Sequence, residues 1–154
     1  MKRICLNCGS SPGFDEDYMV KARELGLAIL NNGAELVYGG ADVGLMGEVA
    51  DTIMKAGGVV RGVIPESFAH KVSHQGLTEL HVVGSMHERK QMMFDLSDGF
   101  VALPGGFGTL EELSEILPRG QLASSFGKGK VAADAIRVTH QSDEFGIGHC
   151  WDGA

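Results

Sequence analysis

Leu103-Pro104-Gly105-Gly106-Phe107-Gly108-Thr109-Leu110-Glu111-Glu112 decides the fold. An apolar run from Phe100 to Leu103 is closed by Pro104, passes through three glycines and opens a segment with helical spacing. A strand that leads through a glycine loop into a helix is the building unit of a parallel sheet, because parallel neighbours need a crossover connection. The same loop offers backbone N–H groups and the positive end of a helix dipole to an anion, phosphate being the natural guest. No Gly-Lys-Ser/Thr follows, so this is not a P-loop, and Gly105-Gly106-x-Gly108 departs from the G-x-G-x-x-G dinucleotide fingerprint. Glycines after a buried strand also serve simply to shape a tight turn.

The same alternation runs upstream. Ile4 to Leu6 reads as a strand, and Asn7 to Gly13 as a turn-rich loop. A helix is expected from about Asp15 to Asn31, with Tyr18, Ala22, Leu25 and Ile29 at helical spacing and Gly33 as its stop. Glu35 to Tyr38 is a second strand, followed by Gly39-Gly40-Ala41. Asp42 is the expected N-cap of a helix with Val43, Met46, Ala50 and Ile53 on one face, ended by Gly57-Gly58. Val59 to Ile64, closed by Pro65, and Glu79 to Val83 are further strands, and a helix from Met86 to about Ser97 precedes the fifth. The expectation is an α/β fold, a Rossmann-like doubly wound parallel sheet in a single domain, with ligands beyond the carboxyl ends of the strands. Three glycine-bearing loops follow strands: Gly9 to Gly13, Gly39 to Gly47 and Gly105 to Gly108.

Composition agrees with one ordered domain. The 154 residues are 44% hydrophobic and 21% charged, ordinary globular values that set aside disordered or fibrous chains. Glycine is the outlier, 23 of 154, about twice its usual share. A formal charge of −7 argues against nucleic acid as a partner. No apolar run approaches a membrane span, and the polar start at Met1-Lys2-Arg3 is unlike a signal peptide, so the expected compartment is the cytoplasm. Cys5, Cys8 and Cys150 are an odd count, and no second ligand pair stands at zinc-finger spacing from Cys5-x-x-Cys8. The histidines show no zincin spacing, so neither a catalytic metal nor a redox cofactor is expected.

On a wheel at about 100° per residue, Leu110, Leu113 and Leu117 group together with Thr109 and Ile116 at their flanks. Glu111 falls opposite this stripe and is expected in solvent, where it complements the dipole. Glu112 falls at the border near Thr109 and is the better active-site candidate. In the preceding helix Met86, Arg89, Lys90 and Met93 share a face. Two cations on an apolar stripe either snorkel to water or serve as counter-charges for an anion. Ser10 and Ser11 lack an elbow motif and are expected at most to hydrogen-bond a ligand at the mouth of the first loop.

Pro104-Gly105-Gly106-x-Gly108-Thr109-x-x-Glu112, with Met86-His87-Glu88-Arg89-Lys90 and Tyr38-Gly39-Gly40-x-x-x-Gly44-Leu45-Met46-Gly47, resembles the LOG (Lonely Guy) family of cytokinin riboside 5'-monophosphate phosphoribohydrolases. The resemblance implies a Rossmann-like homodimer that hydrolyses the N-glycosidic bond of a nucleoside 5'-monophosphate, such as AMP or a cytokinin nucleotide. Base and ribose 5-phosphate are the products, and no cofactor is needed. It implies that Arg89 and Glu112 are catalytic, that Gly105, Gly106, Gly108 and Thr109 hold the phosphate, and that Lys90 is a substrate contact; Met86 and Ser10 are further expected substrate contacts. Some members carry a lysine-decarboxylase label, yet no distinct pyridoxal-phosphate site is visible in this sequence. The chain departs from its relatives at Ala41, at Val72 after Lys71, and after Leu117. There Pro118-Arg119-Gly120-Gln121-Leu122 replaces the family's Trp-x-Gln-Leu-Gly, which divides the chain into residues 1–117, the LOG-like domain, and a divergent tail, 118–154. The rival expectation is a non-catalytic Rossmann-like carrier of a nucleotide or of the molybdenum cofactor.

Overall fold

A computed structural model describes the backbone of residues 2–124 and 130–132, and the side chains of 2–118. Its elements are β1 (Arg3–Asn7), α1 (Glu16–Asn31), β2 (Glu35–Tyr38), α2 (Gly44–Lys55), β3 (Val60–Pro65) and α3 (Glu66–Val72). β4 (Glu79–Val83), α4 (Met86–Leu96), β5 (Gly99–Ala102), α5 (Phe107–Ser124) and β6 (Lys130–Ala132) follow. All strand pairs are parallel, in the order β4-β3-β2-β1-β5-β6. This is the expected doubly wound sheet.

Period two along β1 sends Leu6 to one face and Cys5 to the other, and each face has its own core. On the Leu6 side Ala22 and Ile29 of α1 meet Leu45, Val49, Ala50 and Ile53 of α2 over Leu36, Tyr38 and Val60. On the Cys5 side Met93 of α4 and Ile116 of α5 close over Val37, Val63 and Phe100. Each fully buried aliphatic side chain contributes about 1.5–3 kcal/mol. The middle strand β2, with Leu36, Val37 and Tyr38 all at 0% exposure, anchors both cores.

Several local expectations are corrected. The N-cap of α2 is Val43 rather than Asp42, and it makes no side-chain cap bond. Residues 41 and 42 are instead drawn out against the segment after α3, Ala41 bridging to Ser73 and the Asp42 N–H donating to the Val72 carbonyl. The buried stripe of α2 accordingly centres on Leu45, Val49 and Ile53, with Val43 and Met46 half-buried. The short helix α3 has no buried residue and so no apolar period to announce it; its polarity is written instead in Glu66 at the start and His70 and Lys71 at the end. Pro118 lies inside α5, where it removes one amide donor, and the helix continues past it to Ser124. The helix crosses position 117, and β6 then pairs with β5 from Gly99 to Val101.

Candidate active site

The chain steps from β1 outward through β2 and β3 to β4, then returns past β1 to place β5 on its other side. That reversal opens a crevice beyond the carboxyl ends of β1 and β5. The loops after β1, β2 and β5 meet there. The Leu103 N–H donates to the Asn7 carbonyl at 2.9 Å and the Gly9 N–H to the Pro104 carbonyl at 3.1 Å, so the first and third loops are laced together. Gly105 permits this approach: a Cβ there would lie 2.8 Å from the Gly9 nitrogen and closer still to Thr109 Oγ1. Gly44, at φ +58°, lets α2 begin directly against the first loop, where a side chain would come within 2.5 Å of the Ser10 carbonyl oxygen.

The resulting cleft is open to solvent and has a volume of about 220 Å³. Ser10 lines its mouth, Gly106, Gly108 and Thr109 its α5 side, and Arg89 and Glu112 its floor. Nothing lies within 4 Å of a Cβ built on Gly106 or Gly108, so a ligand can approach the first turn of α5 closely. An anion placed there meets the positive end of an 18-residue helix.

Arg89 reaches the floor because α4 starts where it does. The Ser85 hydroxyl caps the helix by accepting from the Glu88 N–H, and Glu88 reaches back to accept from the Gly84 N–H. From the next position the guanidinium crosses over Gly39, donates from Nε to the Val63 carbonyl at 3.1 Å, and donates from Nη1 to Glu112 Oε1 at 3.0 Å. A Cβ on Gly39 would overlap the Arg89 Nη2, so the glycine of the second loop serves as a floor for the arginine. Its place in a glycine-rich loop was legible in the sequence; this service to Arg89 was not.

Glu112 is deeper than the wheel places it. Leu113 and Ile116 are buried, whereas Leu110 and Leu117 are exposed at 38% and 41%, because the sheet lies on the Ile116 side of α5. The buried arc therefore takes in Thr109, Glu112, Leu113 and Ile116. Burial pushes the Glu112 carboxyl above its ordinary range, and the Arg89 guanidinium pulls it back without cancelling the shift. Desolvation is the larger effect and the guanidinium the smaller one.

Lys90 stands apart from this pair. Its ammonium is bound by Glu111 Oε1 at 2.5 Å and Glu115 Oε1 at 2.6 Å, and it does not line the cleft. One position beyond Arg89 on α4, it ties the two helices and lines a small inner cavity together with Glu112 and Glu115. Glu111 is exposed as expected, with Lys90 as its partner. Met86 stands beside the site at 41% exposure, its Sδ accepting from Arg89 Nη1 at 3.3 Å. Asn7, read from the sequence as loop, is the last residue of β1 and only 3% exposed.

Cys5 and Cys8 belong to opposite cores. Burial pushes the Cys5 thiol up to about 12 and Cys8 higher still, which keeps both as thiols rather than reactive thiolates. Among the described residues no cluster of His, Cys, Asp and Glu could hold a metal ion, and no helix is long and apolar enough to cross a membrane.

A doubly wound sheet whose switch-point crevice joins an anion-binding helix start to a half-buried guanidinium–carboxylate pair defines a class of nucleotide-type site. Comparison with known proteins makes this particular. The family model described as "Possible lysine decarboxylase" matches residues 46–132, and the chain belongs to that family. It is 51% identical over 118 residues to the cytokinin riboside 5'-monophosphate phosphoribohydrolase of Rhodococcoides fascians, covering 75% of this chain and 60% of that protein. It is 45% identical over 122 residues to the cytokinin riboside 5'-monophosphate phosphoribohydrolase LOG of Oryza sativa subsp. japonica, covering 79% and 50%. The resemblance to LOG proteins read from the three motifs thus extends over most of the chain, which spans 60% and 50% of the length of these two relatives. Among solved structures it is similar to the Moco carrier protein of Chlamydomonas reinhardtii, with a TM-score of 0.66 and 26% identity over 86% of this chain and 90% of that one.

Proposed function

We propose that this chain hydrolyses the N-glycosidic bond of a nucleoside 5'-monophosphate, AMP or a cytokinin riboside 5'-monophosphate, releasing the base and ribose 5-phosphate. The Arg89–Glu112 ion pair at the floor of a cleft bordered by Gly106, Gly108 and Thr109 carries this reading. In it the 5'-phosphate rests at the start of α5, and its binding energy aligns the ribose over Glu112. The bond from C1' to the base nitrogen breaks with its electron pair going to the base. Positive charge then builds on the sugar, where the Glu112 carboxylate stabilises it. A water oxygen adds to C1', and Glu112 takes the proton that the water gives up and passes it to the departing base. Arg89 fixes one oxygen of Glu112 and partly offsets the cost of burying the carboxylate.

The similarity to the Moco carrier protein favours a second reading, in which the same anion site binds without turnover. Incubation of purified protein with AMP and with isopentenyladenosine monophosphate separates the two. Free base supports hydrolysis; tight binding with intact nucleotide supports the carrier.

We further propose that the active form is a homodimer, since Phe107, Leu110 and Leu117 leave an apolar strip exposed along α5. A sedimentation profile at the monomer mass would overturn this.

A further inference from the structure

We propose that Asn7 is a positioning residue for Glu112, holding the carboxylate from the side opposite Arg89. The inference rests on the hydrolytic reading above. Period two along β1 puts Asn7 on the same face as Cys5, the face covered by α4 and α5. Its side chain is buried, yet among the described residues its Nδ2 donor has no partner. An amide left so at the end of an apolar strand is costly and calls for a use. The turn does not need it, because the backbone carbonyl of Asn7 already accepts from the Leu103 N–H.

A small inner cavity behind the cleft is lined by Asn7, Cys5, Phe100 and Lys90 and by two carboxylates, Glu112 and Glu115. Glu115 is bound by Lys90. Glu112 lines both this cavity and the cleft, and the one oxygen that Arg89 engages is Oε1. Since the Asn7 donor makes no hydrogen bond to any described protein group, it serves the remaining oxygen through one water held among these polar groups. A donor there favours the ionised carboxylate and fixes its plane toward the sugar, so Asn7 acts through Glu112 and touches no substrate.

The test is a matched pair, Asn7→Ala, which removes the donor, and Asn7→Ser, which keeps one in a side chain of similar size. The primary readout is the titration of the Glu112 carboxyl by carbon NMR in the ligand-free protein, with the signal assigned by its loss in Glu112→Gln. Asn7→Ala is expected to raise the Glu112 midpoint by about one pH unit, the scale of one hydrogen bond to a carboxylate, and Asn7→Ser to restore at least half of that shift. In turnover assays Asn7→Ala should lower kcat about tenfold with KM within about twofold, the pattern of a lost transition-state interaction. An unmoved midpoint, or equal shifts in both variants, overturns the proposal. Should Asn7→Ala fail to fold by circular dichroism, Asn7→Leu fills the space without a donor and is judged by the same midpoint. If the parent protein releases no base from any nucleotide, the hydrolytic reading fails while the NMR midpoint still decides whether Asn7 holds Glu112.

Discussion

Arg89 Nη1 donates to Glu112 Oε1 at 3.0 Å across 23 positions of sequence, joining α4 to α5 at the floor of the cleft. Both side chains are mostly buried, 12% and 16% exposed, so each is the other's principal compensation for lost water. Breaking such a pair from one side leaves a charge without a partner, the costly case. Arg89→Met should therefore destabilise the fold by about 3 kcal/mol, the lower end for buried pairs because this one retains some solvent contact. Adding Glu112→Gln should recover part of the loss, and a double-mutant cycle in urea unfolding measures the coupling.

Glu112→Gln alone keeps the shape and removes the base. Release of adenine from AMP should fall at least about a hundredfold, the usual scale for general acid–base catalysis, while the far-ultraviolet circular dichroism is unchanged. Turnover that survived this substitution would remove Glu112 from the mechanism.

The raised Glu112 carboxyl fixes the sign of two pH effects. Activity that needs the carboxylate should rise with pH along a limb lying above the ordinary glutamate range, about 4.3, and that limb should be absent in Glu112→Gln assayed at high enzyme concentration. For stability, the folded protein holds the Glu112 proton more tightly than the unfolded chain does. The contribution of Glu112 is therefore most favourable below the unfolded value and declines as pH rises through the folded one. Urea unfolding should show Glu112→Gln gaining on the parent protein as pH rises above the ordinary glutamate value, about 4.3.

Gly39→Ala separates function from folding. The added methyl would overlap the Arg89 Nη2, the end of a flexible side chain, with the guanidinium carbon 3.2 Å away. The guanidinium has to shift to clear the methyl while staying in contact with Glu112, so the ion pair persists but loses its alignment. Misplacement by about 1 Å can cost about a hundredfold in rate, so kcat should drop on that scale with the melting temperature nearly unchanged.

Lys90→Met provides the contrast. Lys90 is occupied by Glu111 and Glu115 and stands outside the cleft. Its loss should leave KM for the nucleotide unchanged and lower stability by at most about 1 kcal/mol, as for other partly exposed ion pairs. A severalfold rise in KM would place Lys90 on the substrate after all.

Local chemistry was legible where a residue's neighbours in sequence are also its neighbours in space. Asp15 caps α1, its carboxylate accepting from the Asp17 N–H, and Glu35–Tyr38 and Glu79–Val83 are strands at the positions their apolar residues announce. The three glycine loops follow their strands for the same reason. Asp42 was misread and α3 went unread because contacts elsewhere in the chain decide them: the Val72 carbonyl holds Asp42 extended, and α3 has no buried side to show.

Sequence alone thus determined the alternation of strand and helix, the glycine loop at the start of α5 and the choice of Arg89 and Glu112, since periodicity, turn chemistry and motif spacing are properties of adjacent residues. Only the tertiary structure decided that the adjacent Arg89 and Lys90 bind different carboxylates of α5, that burial outweighs the guanidinium at Glu112, and that Asn7 lines one small cavity with it. Desolvation and pairing depend on what the rest of the chain brings to a side chain, and that is settled when β1 takes its place between β2 and β5.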